Sequence, residues 1–265
     1  MIAKLHIETF TRNEITQLGN CYFSPPLKVM NITEDKLAKD LHLMIMSSSP
    51  GILDRDGYEL KVDVAQNCSL QLHTQSYQRL FDMQKGATQK MEVYIQKNAS
   101  FIYLPHPTVP HKNSIFATHN KIYLNNQCSL IWGEVLTCGR KLNDEVFQFS
   151  KHHNITEIFL NNKLIIKENL LMQPSLLNPN SMGQLEGFTH QASFIYFDES
   201  IDVKALCDKL YNSLSDKKEI SFGVSTTQYN SLIIRILGYK AEQLYDLLKE
   251  IAASIQTSKI AHYAV

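Results

Sequence analysis

The 265-residue sequence predicts a mainly β fold, with a β-helix-like body of stacked sheets over about residues 1–200 and two helices in a helix–strand–strand–helix end over about 201–260. Three observations predict it. Apolar and polar residues alternate in many short runs, the period of a half-buried strand. Three segments in the first half of the chain resemble one another at near-constant spacing. Beyond residue 200 the apolar period changes from that of a strand to that of a helix.

Lys4 to Phe10 alternate, and Asn13 and Gly19-Asn20 read as turns on either side of a short strand. Pro25-Pro26 cannot donate to a ladder, so Tyr22 to Lys28 reads as an edge or an extended connector. Leu41 to Ser47 is a strand that Ser49-Pro50-Gly51 ends. The repeats follow. Asn67 to Leu72, Asn98 to Tyr103 and Gln127 to Trp132 each trail an alternating strand, at Leu60–Val64, Met91–Ile95 and Lys121–Leu124. Asn67 and Asn98 lie 31 residues apart, and Ser100 and Ser129 lie 29 apart. Recurrence at this period suits stacked β units; a run of plain hairpins in a sandwich is the other arrangement it allows. Leu130 to Phe149 holds the only Trp (Trp132) and reads as a buried strand running into a tight turn at Gly139-Arg140. Its acids, Glu134 and Glu145, beside Arg140 suit an internal ion-pair network or a surface read by another protein. Two more strands flank Asn161-Asn162, Gln173 to Gly187 is a loop, and a strand covers Ala192 to Phe197. Val203, Leu206, Leu210 and Leu214 share one helical face behind a capping Asp202, strands follow at Ile220–Val224 and Leu232–Leu237, and Leu244, Leu247, Leu248, Ile251 and Ile255 mark a second helix. These helices are expected to cover sheet edges or an open end of the stack. With no clear linker, residues 1–265 read as one domain.

The 26 basic and 26 acidic residues cancel, which gives no electrostatic case for nucleic acid or an anionic membrane surface. No apolar run approaches the about 18 residues of a membrane span, and Met1 to His6 lacks a signal peptide's apolar region. Five scattered cysteines without C-x-x-C fit free thiols in a reducing cytosol.

Catalytic signatures are absent: there is no G-x-S-x-G, no Walker loop and no G-x-G-x-x-G. His106, His111 and His119 cluster in sequence, and imidazole suits nickel or zinc, but no carboxylate or Cys joins them locally and no stable metal site is expected. His152 and His153 would face opposite ways on a strand. Cys68 and Cys128 hold the same place in two repeats and read as small buried residues. Asp54 and Asp56 read as a charged turn rather than an acid–base pair. The residues therefore favour a scaffold or binding protein over an enzyme. A β-solenoid enzyme acting on polysaccharide and a β-structured interaction scaffold are the alternatives.

Several runs, in order, resemble the urease accessory protein UreD (UreH) family. Tyr22 to Met30 fits its P-P-L-K segment, Ser49-Pro50-Gly51 with Asp56 its S-P-x-G-G…G-D turn, and Leu72 to Phe81 its T-T-Q-x-x-x-K strand. Leu104-Pro105-His106-Pro107 fits its L-P-x-x run, and Glu134 to Glu145 its E-x-x-x-x-G-R-x-x-x-G-E motif. Arg55 and Asp144 stand where the family has glycine, and Arg79 where it has lysine; the first and last bear on turn geometry, since glycine reaches conformations they reach less easily. The resemblance implies a non-catalytic, cytoplasmic chaperone that binds apo-urease and a UreF-like accessory protein, which carries a UreG-like GTPase; a dimer of that accessory complex is among the assemblies implied. It implies transient handling of nickel with no tightly bound cofactor. In that picture Asp56, Glu134 and Glu145 line or gate a nickel passage, Arg140 holds them, and Thr74, Gln75 and Arg79 are further passage or interaction candidates.

Overall fold

Alternation becomes two facing sheets, between which the chain passes coil by coil. The computed structural model describes residues 2–35 and 37–263, with side chains described up to residue 257. Met1, Ala264 and Val265, the two ends of the expected single domain, lie outside the described residues, as does Lys36.

The first sheet holds β1 (Ile2–Arg12), β2 (Ile15–Phe23), β5 (Gly57–Val64), β8 (Ala87–Ile95), β11 (Ile115–Leu124), β13 (Lys151–Leu160) and β14 (Lys163–Met172). Their order is β14-β13-β11-β8-β5-β1-β2. The second holds β3 (Leu27–Asn31), β4 (Leu41–Ser47), β6 (Ser69–Thr74), β9 (Ser100–Tyr103), β12 (Ser129–Leu136), β15 (His190–Asp198), β16 (Ile220–Thr226) and β17 (Ser231–Gly238), in the order β16-β17-β15-β12-β9-β6-β4-β3. Short strands β7 (Gln78–Leu80) and β10 (Thr108–Pro110) pair with each other, and β10 with β12, as a third side.

The repeats are successive coils. Ser69 pairs with Ser100 and Ser100 with Ser129 in parallel register. At each corner a residue sits in the left-handed region, Asn67 at φ 61°, Asn98 at 57° and Gln127 at 58°, a conformation that Asn reaches more easily than most side chains. The Asn98 amide donates to Asn67 Oδ1 at 3.1 Å, so the corners stack as a ladder. Cys68, Ala99 and Cys128 fill the space beneath, buried as small residues.

Rows of side chains run across the interior. Ile7, Val62, Val93, Ile122 and Ile158 are neighbours across the first sheet and fully buried. Opposite, Leu43, Leu72, Tyr103, Trp132 and Ile195 are register partners across the second. Such burial contributes about 1.5–3 kcal/mol per large apolar side chain.

Helices α1 (Val203–Ser215) and α2 (Ala241–Tyr263) lie on the outer face of the second sheet rather than at an edge or end, correcting that expectation. The physical reason is that this face is itself apolar: Ile131, Phe194, Tyr196, Leu232 and Ile234 meet Leu210, Leu214, Leu244, Leu248 and Ile255. Asp202 caps α1 by accepting from the Lys204 and Ala205 amides. Two further readings change. Gly19-Asn20 is no turn: β2 runs through it with a bulge, where the missing Cβ lets the strand approach the Glu8 carbonyl. Leu72 to Phe81 is two strands, because the chain bends at 75–77 to start the third side.

Candidate functional site

One step beyond Trp132 the interior rows turn polar. Inward positions of β11 and β13 carry Thr118, Asn120 and Asn154, and β12, β15 and β17 carry Glu134, Ser193 and Arg235 in one paired row. Thr118, Glu134, Asn154, Ser193 and Arg235, together with Thr74, Gln78, Gln89, His106, His152 and Glu168, line a cavity of about 440 Å³ between the sheets, flanked by the loop after β14.

Glu134 is its half-buried carboxylate. Asn154 Nδ2 donates to Glu134 Oε2 at 2.8 Å, and Asn154 Oδ1 accepts from Thr118 Oγ1 and Asn120 Nδ2. Burial raises the Glu134 carboxyl above its ordinary range, against the Asn154 hydrogen bond; the Trp132 indole N–H lies nearby without hydrogen-bond geometry and also favours the charged form. Glu168 accepts from Ser193 Oγ and Arg235 Nη2, each at 2.7 Å. His106 Nδ1 lies 3.3 Å from Thr74 Oγ1, and burial lowers its pKa, which keeps a neutral ring lone pair available. His152 is buried beside Phe116 with Nδ1 unpartnered, and burial pushes it down to about 4.

The sequence candidates divide. Thr74, His106 and Glu134 meet on the cavity. Arg140 and Glu145 lie away from it on the third side, paired through one guanidinium edge: Nε donates to Oε2 at 2.8 Å and Nη2 donates to Oε1. Glu145 Oε2 also accepts the Lys112 amide at 3.2 Å, and Arg140 holds the carboxyl down to about 2. His111 is an electrostatic neighbour of this pair and of Arg79. Asp56 sits in a corner turn, its Oδ2 accepting the Leu53 amide at 3.0 Å. Gln75 is exposed at the bend after β6. His119 lies on the outer face of the first sheet, 2.8 Å from Glu157. The three candidate histidines thus fall in three places, since residues adjacent in one coil can occupy different sides of it.

The motif runs do converge in space, on the third side. The Ile52 amide donates to Arg79 O, Gln78 to Pro107 O, and Thr137 to Thr108 O. A Cβ on Gly51 would lie 2.5 Å from Arg79 O, and one on Gly139, at φ +117°, would lie 2.5 Å from Glu145 O. Arg55 and Asp144 both adopt the left-handed conformation, at φ 65° and 60°, the region that glycine reaches most easily. Asp54 accepts three amides, from Gln84, Lys85 and Gly86, which makes it the charged turn expected.

Asn154, Glu168, Ser193 and Arg235 were missed. For Asn154 a signal was present: His152, Asn154 and Thr156 occupy the positions that continue inward to Ile158, so this inner face switches from polar to apolar within one strand. Among the described residues, no helix is long and apolar enough to cross a membrane.

The family profile described as UreD urease accessory protein matches residues 1–264. The chain is 45% identical over 252 residues to the urease accessory protein UreD of Flavobacterium johnsoniae, covering 95% of this chain and 91% of that protein. It is 34% identical to the protein of that name from Actinobacillus pleuropneumoniae serotype 3, over 95% of this chain and 96% of that one. It is 33% identical to that of Haemophilus influenzae strain PittGG, over 97% and 100%.

Proposed function

The chain belongs to the UreD family of urease accessory proteins, and on that premise we propose that it is a non-catalytic chaperone of urease maturation in the cytoplasm. It binds apo-urease and a UreF-like protein with its UreG-like GTPase, and nickel crosses its body through the polar cavity. The observation that carries this reading is Glu134, a carboxylate set inside a body whose neighbouring rows are apolar, facing a cavity that also holds Glu168 and His106. Carboxylate oxygens and a neutral imidazole suit a divalent cation, and groups already engaged by Asn154, Arg235 and Ser193 bind it weakly enough to release it. Arg140 and Glu145 act instead by fixing the third side.

The test is complementation in a urease-producing strain lacking this chain. Glu134→Gln and Glu168→Gln should leave the complex with the UreF-like partner and apo-urease intact, because both side chains lie inside, while urease activity and nickel content fall toward those of the deficient strain. Wild-type nickel content with both substitutions combined would refute the passage. Failure of the wild-type chain to co-purify with either partner would refute the chaperone reading.

A further inference from the structure

The outer face of the first sheet carries a ligand set that the passage does not use. Along β1, Lys4, His6 and Glu8 point outward while Leu5 and Ile7 are buried. Parallel register with β5 sets His6 beside Lys61 and Glu8 beside Asp63. His6 Nε2 lies 2.6 Å from Asp63 Oδ2 and 3.3 Å from Glu8 Oε1. Among the described residues, these three form the single group of three or more His, Cys, Asp or Glu whose ligand atoms all lie within 4.8 Å of one another. We propose that His6, Glu8 and Asp63 bind a first-row divalent cation on this face, at a site separate from the interior cavity and independent of the passage reading.

Geometry supports it. With metal–ligand bonds of about 2.1 Å at right angles, neighbouring ligand atoms stand about 3.0 Å apart. The His6–Glu8 pair is already near that value, and the His6–Asp63 pair must open by a few tenths of an ångström. One imidazole and two carboxylates suit nickel, cobalt or zinc better than magnesium or calcium. The scaffold is fixed: β1 is bonded on both sides, and the bulge of β2 opposite Glu8, closed by Gly19, sets that residue's position. The competitor is Lys61, whose ammonium lies 3.0 Å from Asp63 Oδ2. Its side chain is 46% exposed, so it can leave for water or for the Tyr94 ring, 5.4 Å away. Three protein ligands leave coordination positions for water.

Lys61 makes the proposal separable from a plain surface ion-pair cluster. Equilibrium dialysis of the untagged full chain against nickel sulfate, repeated with zinc sulfate, should give one stoichiometric site. Removing an outer-sphere partner alone costs a metal site about 10–100-fold, so losing a direct ligand in His6→Gln or Asp63→Asn should weaken this site at least tenfold. Lys61→Gln should tighten it severalfold, and Glu134→Gln should leave it unchanged. Cobalt(II) should give visible d–d bands that His6→Gln removes. Circular dichroism of each variant fixes that it is folded; these side chains are at the surface, so folding should hold. The proposal is overturned if the wild-type chain takes up no stoichiometric cation at millimolar concentration. It is equally overturned if folded His6→Gln and Asp63→Asn bind as wild type does.

Discussion

Two buried histidines make the fold acid-labile in a defined window. His152 is 5% exposed with Nδ1 unpartnered, and burial pushes its pKa down to about 4; burial does the same to His190. Both folded values lie below the ordinary 6.5, so the unfolded chain takes up the proton first as pH falls. The stability each contributes is complete above about pH 6.5 and is lost between there and about pH 4. At roughly 1.36 kcal/mol per unit, the full interval is about 3 kcal/mol for His152, of which about 2 kcal/mol is gone by pH 5. Urea unfolding at pH 7 and pH 5 measures it. His152→Gln should lose about 2 kcal/mol less than wild type between those two values. Glu134, with its raised carboxyl, works in the opposite direction, so the comparison is between chains that differ at position 152 alone. Equal losses in wild type and His152→Gln would refute the reasoning, since they would mean that the imidazole is already protonated in the folded state or is hydrated there.

Gly139→Ala places a Cβ 2.5 Å from a backbone carbonyl at φ +117°, and should cost roughly 3 kcal/mol or more in chemical denaturation, with Gly183→Ala, which has nothing within 4 Å, costing less. Arg140 holds Glu145, and Lys167 with His119 hold Glu157, at about 2; the stability of both pairs is present above pH 4.5 and is lost as pH falls toward 2, so Glu145→Gln and Glu157→Gln should flatten acid unfolding in that range. Asp202→Ala removes the cap of α1 and should lower stability by about 1 kcal/mol in urea unfolding. Cys68, Cys128 and Cys138 are buried, with burial pushing Cys128 up to about 12, so a thiol reagent should modify Cys21 and Cys207 first in the native chain and reach the others on unfolding.

What was legible in the sequence was what is local. The coil corners could be read because Asn at 67 and 98 answers a backbone demand at one position, and the coil length repeats it. The faces of α1 and α2 could be read because Leu206, Leu210 and Leu214, like Leu244, Leu248 and Ile255, follow one period. The cavity could not be assembled this way. Thr74, Thr118, Glu134, Asn154, Glu168, Ser193 and Arg235 come from seven strands, and their meeting depends on parallel and antiparallel registers that no single segment encodes. His106, His111 and His119 show the reverse, since neighbours in the sequence are carried to three surroundings. Glu134 was found from its motif, while its partner Asn154, on the next strand of the opposite sheet, carried no motif of its own.

The polar interior is costly, and its form bears on what it does. The rows through Val62 and Leu72 show that this chain can fill its interior with apolar side chains. Four such side chains in place of Glu134, Asn154, Glu168 and Thr118 would contribute on the order of 10 kcal/mol by area bookkeeping, comparable with the whole net stability of a domain. A site for storing a cation would recover part of that cost by converging free ligands into a closed shell. Here each carboxylate is already engaged, Glu134 by Asn154 and Glu168 by Ser193 and Arg235. A cation entering must compete with those hydrogen bonds at each carboxylate, and it is released when they re-form. Ligands spread along a cavity and individually weakened in this way favour transit over storage, and that is the physical ground for reading the cavity as a passage.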